Sequence, residues 1–239
     1  MRIGILGTGT LAAALGEGWI RAGHEVWIGG RSQDKADRLA ERLGSVGRLG
    51  RPGHVGRPGR PGRPGRPGRP GQGAFAVTPR EAVTGRDAVL LAVSWDGVGD
   101  MLGRAGAADG VLAGTPLIDP TNAVAHGVGD LLTERGESMA TRIAGLAPGA
   151  HVVKAFHLFP AGQWTSPADD DGRPQVTVAM CGDDPAALRI VGELVRDVGG
   201  APATLGSLER VRQLEEVAGF VIGLAFAGVD PNSAIPKVS

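Results

Sequence analysis

The 239-residue chain contains no tyrosine, one cysteine and only three lysines, Lys35, Lys154 and Lys237. A lone cysteine, Cys181, excludes an internal disulfide. The missing tyrosine excludes the Tyr-x-x-x-Lys proton donor of the short-chain reductases. No apolar run approaches the roughly 18 residues of a membrane span. The opening Met1-Arg2-Ile3-Gly4-Ile5-Leu6 reaches glycine and threonine too soon for a secretory apolar segment. A soluble, reducing, cytoplasmic setting without a membrane partner is therefore expected. The sequence also lacks a metal-ligand cluster and a nucleophile elbow.

Net charge is absent too, with 25 basic residues against 25 acidic, so no nucleic-acid partner is expected. That balance joins unlike parts. From Gly44 to Gly71 glycine stands at every third position, and these 28 residues hold seven arginines and no acid or lysine. The other 211 residues carry 18 bases against 25 acids. The Gly-Arg-Pro triplets resemble collagen in period, but a short charged tract with so little apolar surface to bury reads as a solvated insertion over 44–73. It lies between a helix, Gln33 to Leu43, and a strand, Ala74 to Val77. Such a connection falls at the end of a parallel sheet opposite the ligand-binding strand ends.

On either side the pattern alternates strand and helix. Strands are read at Arg2 to Leu6, Glu25 to Ile28, Asp87 to Val93, Pro116 to Asp119, His151 to Phe156 and Gln175 to Met180. Helices are read at Ala13 to Arg21, from Thr78-Pro79, at Val98 to Ala107, Met139 to Leu146, Asp184 to Val198 and Leu208 to Phe226. The strands are continuous apolar runs, as expected when helices cover both faces. Thr165 to Pro174 reads as a polar loop. The fold class is α/β: a Rossmann-type, doubly wound, mainly parallel sheet over 1–160 with a small C-terminal α/β domain over 161–239. The uncharged end of the last helix, Val217 to Ala227, calls for a cover, and a homodimer is expected.

Gly7-x-Gly9-x-x-Ala12 follows the first strand and opens a helix. Gly7 permits the tight turn, Gly9 lets a pyrophosphate approach the backbone, and Ala12 allows close packing; Thr8, Thr10 and Leu11 complete the loop. At the second strand end, where NAD-binding chains carry an acid, this sequence has Gly30-Arg31-Ser32 with Lys35 one turn on. A guanidinium fork, a hydroxyl and an ammonium on one face match a 2′-phosphate and favour NADP(H). Later strand ends carry Val93-Ser94-Trp95, Asp119-Pro120-Thr121-Asn122 and Lys154-Ala155-Phe156-His157. Singly, each has a structural reading as core or turn; three strand ends on one rim point to a site for a small-molecule redox substrate. Lys154 and His157 are the evident proton donors there.

These segments, together with His157-Leu158-Phe159-Pro160-Ala161, Cys181-Gly182-Asp183-Asp184 and Gly206-Ser207-Leu208-Glu209, resemble the coenzyme F420-dependent NADP oxidoreductases over nearly the whole chain outside the glycine-periodic tract. The resemblance implies direct hydride passage between nicotinamide C4 and deazaflavin C5. It further implies that His157 and Phe159 line the deazaflavin and that the Ala161 backbone meets the nicotinamide carboxamide. Thr8 to Leu11 would hold the pyrophosphate, and Arg31, Ser32 and Lys35 the 2′-phosphate. Asp119-Pro120-Thr121-Asn122-Ala123 departs toward wider bacterial relatives of the family, which leaves the hydride acceptor open. Three readings stand at this point: hydride exchange with F420 as substrate, NADPH-dependent reduction of a small imine, ketone or flavin with His157 or Lys154 as acid, and a non-catalytic NADP-binding module.

Overall fold

The computed structural model describes residues 1–49, 73–165 and 176–236. The expected insertion beyond Leu49 and the expected polar loop beyond Thr165 lie outside the described residues.

Eight strands form one sheet in the order β3-β2-β1-β4-β5-β6-β7-β8. They are β1 (Arg2–Leu6), β2 (Glu25–Gly29), β3 (Gly73–Val77), β4 (Ala88–Leu91), β5 (Pro116–Asp119), β6 (His151–Lys154), β7 (Thr177–Gly182) and β8 (Ala201–Gly206). The helices are α1 (Thr10–Arg21), α2 (Gln33–Leu49), α3 (Pro79–Val83), α4 (Val98–Ala105), α5 (Met139–Leu146), α6 (Pro185–Asp197) and α7 (Val211–Phe226). All neighbours pair in parallel except β6 and β7. Residue 160 falls between those two strands, and β7 and β8 continue the same sheet.

Alternation along the short strands feeds two cores. On β4, Ala88 and Leu90 join Ile3, Ile5, Val26 and Ile28 under α1, α2 and α6. Val89 and Leu91 face the other way, with Leu6 and Leu117, under α3, α4, α5 and α7. Burial on both faces is why these strands read as unbroken apolar runs.

Local chemistry sets several boundaries. Thr78 caps α3 in a reciprocal capping box with Glu81, and Pro79 takes the first helical position. Asp184 accepts from the Ala187 amide at 2.7 Å to cap α6, again with proline next. Two elements differ from expectation. Helix α2 runs to Leu49 rather than stopping at Leu43, because Gly44 and Gly47 cost helix stability without forbidding the conformation. Strand β8, with Pro202 inside it, went unread in the sequence; it is the sheet edge, where a proline costs least.

The order fixes the site. From β1 the chain winds out to β3, then returns to β4 on the other side of β1, so the crevice opens between the carboxyl ends of β1 and β4. Gly73 pairs with Glu25, the first residue of β2, so the chain re-enters the sheet from the glycine-periodic tract at the opposite end.

Candidate functional site

The turn after β1 is built around Gly7. Its φ is 126°, its amide donates to the Gly29 carbonyl at 2.8 Å, and a Cβ there would run into the Ala92 carbonyl oxygen beyond β4. Only glycine allows that approach of the β1 and β4 ends. Gly9 then caps α1 without any side-chain hydrogen bond, no acid stands in the helix's first turn, and a Cβ on Gly9 would meet nothing within 4 Å. Partly exposed Thr8 and exposed Thr10 flank this open place, while Ala12 and Ala13 bury the helix against the sheet. Free first-turn amides, the positive end of the helix dipole and clear space suit an anion.

The β2 end stands beside this loop: a Cβ on Gly30 would lie 2.8 Å from Thr8 Cγ2. Arg31 and Lys35 are exposed, Ser32 is half-buried, and the Lys35 amide donates to Ser32 Oγ at 3.4 Å. Across from them, Ser94 holds the Asp96 carboxyl below its usual range, and the Arg31 charge adds to that effect. Asp100 is lowered chiefly by Arg104 and also by Arg31. The Arg31 guanidinium is thus within electrostatic reach of the turn following β4. Of the β4-end residues, Val93 and Trp95 pack partly into the second core and Ser94 is exposed.

At the β5 and β6 ends three charges are fully buried together. Lys154 Nζ donates to Asp119 Oδ2 at 3.0 Å, to Glu215 Oε1 at 2.9 Å and to the Thr121 carbonyl. Its three protons are committed. Asn122 Nδ2 donates to the His157 carbonyl at 2.6 Å, so these two strand-end segments do meet. His157 itself is only 6% exposed. Burial, aided by the Lys154 charge and opposed slightly by the nearby Leu214 backbone, pushes its pKa down to about 3. The imidazole is neutral at physiological pH.

Between Lys154 and His157 the chain turns sharply at Phe156, the one non-glycine residue with positive φ (62°) among the described residues. That conformation is strained for an aromatic side chain. It is clamped by edge-on contacts to Trp19 of α1 at 6.3 Å and Trp164 at 5.3 Å, and Phe159 also packs edge-on against Trp164 at 5.8 Å. Through this stack the turn holding Ala161, Ala161–Trp164, packs against α1, and Leu11, Phe159 and Ala161 border the same core.

Glu215 was not foreseen as part of the site. Its signal was a carboxylate at helical spacing among Val211, Leu214 and Ala218, on the face that packs inward. The acids of Cys181-Gly182-Asp183-Asp184 take structural places: Asp184 caps α6, and Asp183 accepts from the Leu208 amide at 2.8 Å. Among the described residues no group of acids, histidines and cysteines is arranged for a metal, and no helix is long and apolar enough to cross a membrane.

Over 217 residues the chain is 27% identical to metalloreductase STEAP3 of Rattus norvegicus, a match covering 90% of this chain but only 36% of that longer protein. Among solved structures, an Arthrobacter sp. FB24 protein assigned as an F420-dependent NADP-reductase superposes with a TM-score of 0.69 at 22% identity over 96% of both chains. A reductive aminase of Aspergillus terreus in complex with NADPH and ethyl-5-oxohexanoate gives 0.59 at 18% identity, over 95% of this chain and 62% of that one. At such identities these structures establish the fold. Residues 2–123, which hold the glycine turn, the Arg31 segment and the β4 and β5 ends, match the family model "NADP oxidoreductase coenzyme F420-dependent". The chain belongs to that family.

Proposed function

We propose that the protein transfers a hydride directly between NADP(H) and the deazaflavin coenzyme F420, bound against each other at the carboxyl ends of the strands. When bound, the two cofactors supply the chemistry, with nicotinamide C4 and deazaflavin C5 as the exchanging atoms. The chain's own residues bind and orient them. Gly7, Thr8, Gly9, Thr10 and Leu11 hold the pyrophosphate on the open α1 terminus, and Arg31, Ser32 and Lys35 hold the 2′-phosphate. Val93, Ser94, Trp95, Asn122 and the Ala161 backbone border the nicotinamide. His157 and Phe159 shape the acceptor side.

The observation that carries this reading is the state of the two proton donors. Lys154 has all three protons committed to buried acceptors, and His157 is buried and neutral. Reduction of a ketone needs a positioned acid, whereas exchange between two redox cofactors needs chiefly proximity and orientation. The segment from residue 161 onward is read as the acceptor and dimerisation side. Phe220 and Phe226 of α7 stand 49% and 53% exposed, as a helix does that packs on a second copy.

The test is to mix the protein with NADPH and oxidised F420 and follow both absorbances. Coupled loss of NADPH and oxidised F420 is the expected result. NADPH turnover only with an imine, ketone or flavin would replace this reading with a conventional reductase, and no turnover of any acceptor would leave a binding module.

A further inference from the structure

We infer that the buried cluster Asp119, Lys154 and Glu215 is the positioning device for the part of the cleft where nicotinamide and acceptor meet, with Glu215 the residue through which α7 holds the Asn122 and His157 segments. This rests on the hydride-transfer reading above for its kinetic consequence, but its geometry stands independently.

The cluster joins four elements through one cation. Glu215 Oε1 accepts from Lys154 Nζ at 2.9 Å and from the Ala140 amide at 3.2 Å, while Oε2 accepts from the Met139 amide at 2.9 Å. Helix α7 is thereby fastened both to the β6 end and to the first turn of α5. Asp119 Oδ1 accepts from the Thr121 amide at 2.8 Å and from its hydroxyl at 2.6 Å, and Lys154 takes the Thr121 carbonyl. Every polar atom of Thr121 is therefore fixed. The next residue, Asn122, reaches the His157 carbonyl at 2.6 Å. Because a carbonyl only accepts, that bond also sets which way the Asn122 amide points. Lys154 precedes His157 by three residues on the same strand end, so the segment is pinned at both ends.

Stability alone does not account for such an arrangement. Two carboxylates and one ammonium are all fully buried, and well-packed apolar residues of like volume commonly serve stability as well or better. The cluster carries one excess negative charge, which the α5 amides and the positive end of its dipole offset. What apolar side chains cannot supply is a fixed direction for Thr121 and Asn122. In this arrangement Lys154 and Glu215 act through Asn122 and are positioning residues.

The experiment compares wild type, Glu215→Gln, Lys154→Met and the double variant Lys154→Met with Glu215→Met. Solvent exchange of the Asn122 side-chain amide protons, followed by isotope-edited NMR, requires no acceptor. In Glu215→Gln it should quicken about tenfold or more as the tie loosens. NADPH affinity should fall by no more than about threefold, because the pyrophosphate and 2′-phosphate contacts are untouched and only Asn122 beside the nicotinamide loosens, while F420 turnover falls by up to about 10²-fold, the cost of misplacing reacting groups by roughly an ångström. The double variant removes the cation together with one anion, so its Tm should lie nearer wild type than that of Lys154→Met, with turnover still low. Unchanged Asn122 exchange in folded Glu215→Gln, or turnover recovering along with Tm in the double variant, overturns the inference. Should Glu215→Gln not fold, amide exchange in the double variant decides: fast supports and protected overturns. If wild type exchanges no hydride with F420, the functional reading fails and the amide exchange alone judges the positioning.

Discussion

Replacing Arg31 by alanine should separate NADPH from NADH. Arg31 lies at the β2 end beside Thr8 and the glycine turn, exposed, with Ser32 half-buried next to it and Lys35 a turn away. A guanidinium hydrogen-bonded to a phosphate contributes about 1.5–3 kcal/mol. Solvent exposure and the remaining Lys35 place the loss in the lower part of that range, about 1.5–2 kcal/mol, or roughly 10- to 30-fold in Kd. Asp96 and Asp100, both sensitive to the Arg31 charge, work in the same direction. Once Arg31 is gone their negative charge is less offset there, although Arg104 still pairs Asp100 and Lys35 remains. NADH lacks that phosphate, so its affinity should change by less than about twofold. Titration of each nucleotide by fluorescence at fixed ionic strength measures both, and the NADPH effect should shrink at high salt. Equal losses for the two nucleotides would refute the assignment of this cluster to the 2′-phosphate.

Gly7→Ala should destabilise the fold by about 3 kcal/mol or more, because a side chain there adopts an unfavourable φ and meets the Ala92 carbonyl. Thermal unfolding should then shift down by roughly 10 °C, and an unchanged Tm would mean that the β1 and β4 ends are not so close. For His157, the folded pKa of about 3 lies below the ordinary value of 6.5. Its contribution to stability is therefore whole above pH 6.5 and is lost as pH falls toward 3. Denaturant titrations should show this loss and should show it reduced in His157→Gln. The same burial predicts turnover without a His157-dependent step between pH 6 and 8; an apparent pKa in that window, abolished by His157→Gln, would restore His157 as an acid.

The strand–turn–helix at the start of the chain was legible in the sequence because its signals are local: Gly7, Gly9 and Ala12 shape it within one turn. The residues proposed for the 2′-phosphate, Arg31, Ser32 and Lys35, likewise lie within five residues. Continuous apolar runs at β1, β4 and β5 announced a sheet covered on both faces. Strand β8 was hidden because its apolar pattern is broken by Pro202 and its residues are half-exposed at the sheet edge. The extension of α2 to Leu49 was hidden by glycines, which lower helix stability without forbidding the conformation. The acceptor side was the least legible. Lys154 stood out as a proton donor, yet its partners lie 35 residues back in Asp119 and 61 ahead in Glu215, and such pairings are set by topology. Nor does any sequence pattern announce that Phe156 will take a left-handed conformation; that follows from the clamp of Trp19 and Trp164 around it.

The claim of direct transfer is tested most directly by placing deuterium at C4 of NADPH, one face at a time, and locating it after a single turnover with oxidised F420 in ordinary water. Direct passage between the two cofactors, as proposed, predicts that the deuterium from one face appears wholly at deazaflavin C5, with none from the other. Label lost to solvent, or arriving from both faces, would contradict the account.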